Sequence, residues 1–191
     1  MKRLALVVVL LLVLAVGYRS FGSAETGTGT LTLAQPAPVP GQNARNFAVE
    51  NAGGDTFELT DNGVYVLTFW SPWNQGSNLA RPEFDRLARK YGGQEITFAA
   101  VYMGGIPEEK APYAVLLDGN GRLTSMYNVK RVPRLFLVED GTIQLVQNGF
   151  WEENEDQLED QLEEKLKEIL AEEEKASSGG HEKPERGERR S

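Results

Sequence analysis

The sequence predicts an α/β protein, a three-layer sandwich in which helices cover a central mixed sheet and a β-hairpin comes first. Three stretches carry that expectation. Val64-Tyr65-Val66-Leu67-Thr68-Phe69-Trp70 is a near-continuous apolar run, as a strand buried on both faces requires. It passes through the loop Ser71-Pro72-Trp73-Asn74-Gln75-Gly76-Ser77 into a helical pattern lasting to Tyr91. A second buried run, residues 96–103, follows that helix and predicts a strand parallel to the first. Residues 134–138 and 142–146 then flank Glu139-Asp140-Gly141, and an Asp-Gly pair between strand patterns signals a tight antiparallel hairpin. Parallel strands joined by a helix, with an antiparallel pair beside them, make a mixed sheet covered by helices.

From the start of the chain, Met1-Lys2-Arg3 is a short basic opening to an apolar segment, residues 4–18, closed by Arg19. That segment falls short of the roughly 20 apolar residues of a full membrane span. It also fits the apolar core of an export signal, with Gly22-Ser23-Ala24 as a small-residue cleavage site. Residues 1–19 are therefore expected to be a signal peptide or a signal anchor. The remainder is then extracytoplasmic, held at the membrane by this segment or secreted after cleavage near Ala24. Residues 20–41, rich in Gly, Thr, Ser, Ala and Pro, predict a flexible tether that reaches roughly 25 Å.

The domain is expected over residues 42–175. Phe47-Ala48-Val49-Glu50 and Thr56-Phe57-Glu58-Leu59 form a hairpin around Ala52-Gly53-Gly54-Asp55. In the helix after the loop, Phe84, Leu87, Ala88 and Tyr91 share one face. Pro82 should kink or restart that helix, and Gly92-Gly93 ends it. Val115-Leu116-Leu117-Asp118, a glycine turn and a short helical piece over 123–129 lead to Val132-Pro133 and the second hairpin. Residues 152–175 predict an acidic helix whose Leu158, Leu162, Leu166, Ile169 and Leu170 form one stripe. With barely two heptads, the stripe favours packing on the sheet over a coiled coil. Residues 176–191 predict a disordered tail.

The net charge of -8 is uneven. Residues 1–150 hold 13 acidic and 13 basic side chains, whereas residues 151–191 hold 15 and 7. A near-neutral domain argues against nucleic acid as a partner, and the acidic end is expected to be solvated surface. The chain has no cysteine, and its one histidine, His181, lies in the tail. Disulfides, thiol nucleophiles and thiolate metal sites are thereby excluded within this chain, as is a Ser–His–Asp arrangement in the folded region. No cofactor and no metal site are expected.

Several short signatures stand in a fixed order. They are Ala37-Pro38 with Phe47; Leu67-Thr68-Phe69-Trp70-Ser71-Pro72-Trp73; Pro82 with Phe84-Asp85-Arg86-Leu87; Leu117-Asp118 with Gly121-Arg122; and Tyr127-Asn128-Val129, Val132-Pro133, Phe136-Leu137-Val138 and Gly141. With these, residues 37–170 resemble the thioredoxin-like superfamily, and more narrowly the exported TlpA/ResA-type thiol–disulfide oxidoreductases. The resemblance implies a cis peptide at Val132-Pro133, facing the loop after Trp70. It also implies that Asn74 stands where the attacking cysteine would be and Ser77 where the resolving one would be. The stretch 104–114 is shorter than the insertion usual in that family, which weakens any expectation of haem-maturation substrates.

Thiol chemistry does not carry over with the fold. A cysteine at a helix N-terminus reacts because the helix end stabilises its thiolate, and exchange proceeds by thiolate attack on sulfur. A serine hydroxyl is far too weak an acid to be recruited this way, and an amide has no nucleophile. Asn and Ser are both good helix caps, which explains them without any further role. The functional expectation is a redox-inactive binding or scaffold module. It would use Trp73, Asn74, Val132 and Pro133 to hold an exported protein or an extended peptide by strand addition, with Trp70 in the core. Two alternatives stay open: a thiol-independent enzyme using Asp85, Glu108 or Glu109, and an interaction arm formed by the acidic helix.

Overall fold

The structure, a computed structural model, describes residues 36–106, 110–149 and 155–178. At its centre, strand β3 (Val64–Trp70) is buried along nearly its whole length, so its sequence shows no polar alternation. It pairs in parallel with β4 (Ile96–Tyr102) and antiparallel with β6 (Arg134–Glu139). Strand β5 (Ala114–Leu117) continues the sheet in parallel beyond β4, and β7 (Thr142–Asn148) continues it antiparallel beyond β6. The order is β5-β4-β3-β6-β7, the mixed sheet the sequence predicts.

Strands β1 (Phe47–Glu50) and β2 (Thr56–Leu59) form the expected separate hairpin. Its turn is closed by Asn51, whose Oδ1 accepts from the Gly53 and Asp55 backbone N–H groups at 2.7 and 3.1 Å. In the β6–β7 hairpin Asp140 (φ 44°) and Gly141 (φ 73°) both take positive φ, the turn whose twist matches that of its strands. A Cβ on Gly141 would lie 3.1 Å from Asp61 Cα, so a close approach adds to the conformational reason for glycine.

Helices α1 (Gln75–Tyr91) and α3 (Glu155–Ser178) cover one face of the sheet. Phe84 and Leu87 of α1 meet Leu162, Leu166 and Ile169 of α3 over Leu135 and Leu137. The stripe of α3 thus closes the domain, as the sequence favours. Its register is fixed by Glu163, which accepts from Arg86 (3.0 Å), from the Tyr91 hydroxyl (2.7 Å) and from Lys90. The hairpin and the short helix α2 (Arg122–Met126) cover the other face around Phe57, Phe69, Tyr127 and Phe136. Asp118 anchors α2 by accepting from the Leu123 and Thr124 N–H groups at 3.0 and 2.8 Å.

The structure corrects several boundaries. Helix α1 continues through Pro82 as one element. The proline forgoes its bond to the Asn78 carbonyl, while the buried face beyond it keeps the helix in place. Helix α2 ends at Met126 rather than 129, and Asn128 takes φ 46°. Residues 36–41, expected as tether, lie on the domain: Pro38 is buried, Gly41 N–H donates to the Ile143 carbonyl at 2.8 Å, and Arg45 Nη2 donates to the Pro36 carbonyl at 2.6 Å. The apolar segment 4–18, the rest of the tether, Glu108, Glu109, the Leu158 side chain and the tail from 179 lie outside the described residues. Among the described residues, no helix is long and apolar enough to cross a membrane.

Candidate functional site

Past Trp70 the chain turns through Ser71, Pro72 and Trp73 into α1, and its polar groups are spent on holding that turn. Asn74 is the helix cap: its Oδ1 accepts from the Ser77 N–H at 2.8 Å and from Ser77 Oγ at 3.2 Å. Ser77 is not a second cap. It lies in the first turn of α1, only 1% exposed, and its Oγ accepts from the Ser71 N–H at 3.3 Å. Asn74 and Ser77, which the resemblance places at the cysteine positions, are therefore hydrogen-bonded to each other. Asn74 N–H also donates to the Ser71 carbonyl at 3.1 Å, and Asn78 Nδ2 donates to the Pro72 carbonyl at 3.1 Å. The result is a loop braced by its own polar groups.

The two tryptophans divide as the sequence predicts. Trp70 is 2% exposed, packs edge-on to Phe84 with ring centres 5.3 Å apart, and donates Nε1–H to Thr68 Oγ1. Trp73 is 83% exposed. Its ring lies over Gly104, where a Cβ would stand 3.2 Å from Trp73 Nε1 and where φ is +86°. Glycine is needed there for both its backbone angle and the close ring. A Cβ on the next residue, Gly105, would stand 4.0 Å from Pro72 Cγ, so this glycine pair forms the floor beneath the corner.

The Val132-Pro133 peptide is cis, as the resemblance implies. Because β6 pairs Arg134 with Phe69, this peptide stands at the same end of the sheet as the corner. Pro133 is buried and Val132 half-buried. The Pro133 carbonyl is taken by the Gly149 N–H at 2.9 Å, whereas the Val132 backbone makes no hydrogen bond among the described residues. Behind Pro133 lies a cavity of about 50 Å³ whose walls include Thr68, Trp70, Phe84, Leu135 and Gln147. Trp73, Asn74, Val132 and Pro133 thus frame one end of the sheet.

Of the three candidate carboxylates only Asp85 lies among the described residues. Asp85 pairs with Arg89 at 3.8 Å and stands beside the Tyr113 hydroxyl, which lies 3.4 Å from that of Tyr102. Burial pushes both phenols above their ordinary pKa. Among the described residues, no group of three or more His, Asp or Glu side chains could hold a metal ion. Sequence reasoning missed Ser71, Asn78 and Gly104. Gly104-Gly105 is the only one of these signals legible in the chain, and it does not reveal which ring comes down on it.

The fold defines a thioredoxin-like domain whose corner carries Asn74 and Ser77, where the resemblance implies cysteines. No family model matches the chain. It is similar to the thiol–disulfide oxidoreductase ResA of Bacillus subtilis, 24% identical over 159 residues that cover 77% of this chain and 84% of ResA. Among solved structures, it is similar to a Chlorobium tepidum protein described as thiol:disulfide interchange protein DsbE, at 25% identity and a TM-score of 0.59, covering 67% of this chain and 98% of that one. It also shares its fold with the exposed lipoprotein thioredoxin of Streptococcus pneumoniae, at 23% identity and a TM-score of 0.52, covering 65% and 99%. The chain thus shares the thioredoxin-like fold of these thiol–disulfide oxidoreductases and contains no cysteine.

Proposed function

We propose that this chain is an exported, redox-inactive thioredoxin-like module that binds an extended protein segment at the corner. One observation carries the reading. The frame of the site is intact, with cis Val132-Pro133, a capped helix and an exposed Trp73, while the side chains that would react are replaced by ones that only brace it. Strand addition needs a free backbone edge and a wall to pack on. Val132 offers the first and Trp73 the second. Export is supported by the apolar segment 4–18, and a structural relative is described as an exposed lipoprotein. Retention at the membrane by that segment belongs to the same proposal.

The alternatives have less support. Asp85 is engaged with Arg89 and faces tyrosines rather than the corner. The apolar stripe of α3 is buried against α1 and the sheet, which leaves an interaction arm only its charged face. A direct test follows the binding of ten-residue peptides, alternating aliphatic and polar residues, by tryptophan fluorescence. Replacing a central aromatic anchor typically costs about 2 kcal/mol or more, so Trp73→Ala should weaken binding roughly thirtyfold while leaving the urea midpoint unchanged. Equal affinity of Trp73→Ala and wild type would remove the groove from the account.

A further inference from the structure

The near-neutral charge of the domain conceals a local imbalance at the corner end of the sheet. Lys130 and Arg131 are exposed and directly precede cis Val132-Pro133, and Arg134 follows it. None of the three forms an ion pair among the described residues. Arg134 is the most telling: its guanidinium lies 5.1 Å from the centre of the Phe136 ring, and its Nε is buried without a hydrogen-bond partner. Burial without a counter-charge holds its pKa below the usual value. A partly desolvated cation left unpaired is costly, and an incoming anion would relieve that cost.

Among the described residues, the acidic groups near this end already have partners. Asp118 accepts from the start of α2, Glu83 pairs with Arg86, and Asp85 pairs with Arg89. Among the described residues, the uncompensated charge beside the open Val132 backbone is therefore positive. We propose that the extended segment taken at the corner is acidic, carrying Asp or Glu at positions that pass Lys130, Arg131 and Arg134. This inference rests on the groove proposed above and names the chemistry of its occupant. A peptide is favoured over an anionic lipid surface because the cations flank a backbone edge and a single aromatic wall. An anionic lipid surface would instead call for a larger cluster of cations, about four to eight Lys or Arg.

The test uses the full chain and three sets of ten-residue alternating peptides, identical except that the polar positions are Glu, Gln or Lys. Vesicles of phosphatidylglycerol serve as a fourth probe. Two or three partly exposed charge pairs together make about a tenfold difference, so the Glu set should bind about tenfold more tightly than the Gln set at low salt. That preference should shrink towards unity at 1 M salt, where the Debye length is about 3 Å, and in Lys130→Gln/Arg131→Gln. Trp73→Ala should weaken the Glu and Gln sets alike. Equal binding of both sets, lost in Trp73→Ala, would overturn the acidic occupant and leave the groove standing. No binding of any set, or binding untouched by Trp73→Ala, would overturn the groove and the inference with it. Vesicle binding that depends on Lys130 and Arg131, without a preference for the Glu set, would replace the acidic segment with lipid.

Discussion

Asn74 Oδ1 accepts from both the backbone and the hydroxyl of Ser77, so one amide caps the helix and links the two positions where the resemblance implies thiols. The corner therefore keeps one shape without a redox state to switch it. Trp73 depends on a different residue. Gly104 supplies a left-handed backbone angle and room for the ring, and no other residue type supplies both. Gly104→Ala should destabilise the domain by about 1–2 kcal/mol, the cost of forcing an L side chain into that region, read as a lower urea midpoint. It should also displace Trp73 and weaken peptide binding. In a Trp73→Ala background the binding loss should vanish while the stability loss remains. A Gly104→Ala variant with wild-type stability and binding would contradict this account of the floor.

Among the elements, α3 best shows how charge and packing share a task. Its stripe is buried against α1 and the sheet, and Glu163 locks the pair by accepting from Lys90, Tyr91 and Arg86, which hold its carboxyl well below the ordinary range. A depressed folded-state pKa gives stability that is present above the unfolded value and lost as pH falls through the folded one. Loss should thus begin as pH drops past about 4.3, the ordinary glutamate value, and continue below it. Glu139 and Glu173 act in the opposite sense. Burial and neighbouring carboxylates raise their pKa, so they weaken the fold once ionised and cease to do so when protonated. Urea midpoints from pH 7 to 3 should therefore fall less steeply at the acid end for Glu163→Gln than for wild type. Parallel curves would show that the network does not hold α3.

At the scale of the whole molecule, the sheet order and the two hairpins were legible because each element carries its own pattern. Val64–Trp70 is apolar throughout, since both its faces are covered, and Asp140-Gly141 has the residues its turn demands. Helix α1 does not restart at Pro82, because the buried face beyond it, which propensity does not display, holds the helix together. The domain starts earlier than composition predicts, because Pro36 to Gly41 have the composition of a tether yet are bound through backbone groups that composition does not display. Of the site, the exposure of Trp73 and the cap at Asn74 were readable. The resting place of Trp73 on Gly104 and the bonds of Ser71 were not, since both are contacts between segments distant in sequence or between short polar residues of many uses.

The central claim is that the thioredoxin-like frame persists and only its thiols are missing, and reduction of insulin disulfides by dithiothreitol tests it most directly. Wild type should match the protein-free blank, because exchange requires a thiolate and the chain has none. Asn74→Cys/Ser77→Cys should rise clearly above the blank, because the start of α1 would stabilise the new thiolate at position 74. Wild-type activity above the blank, or a folded double variant that stays at the blank, would contradict the account.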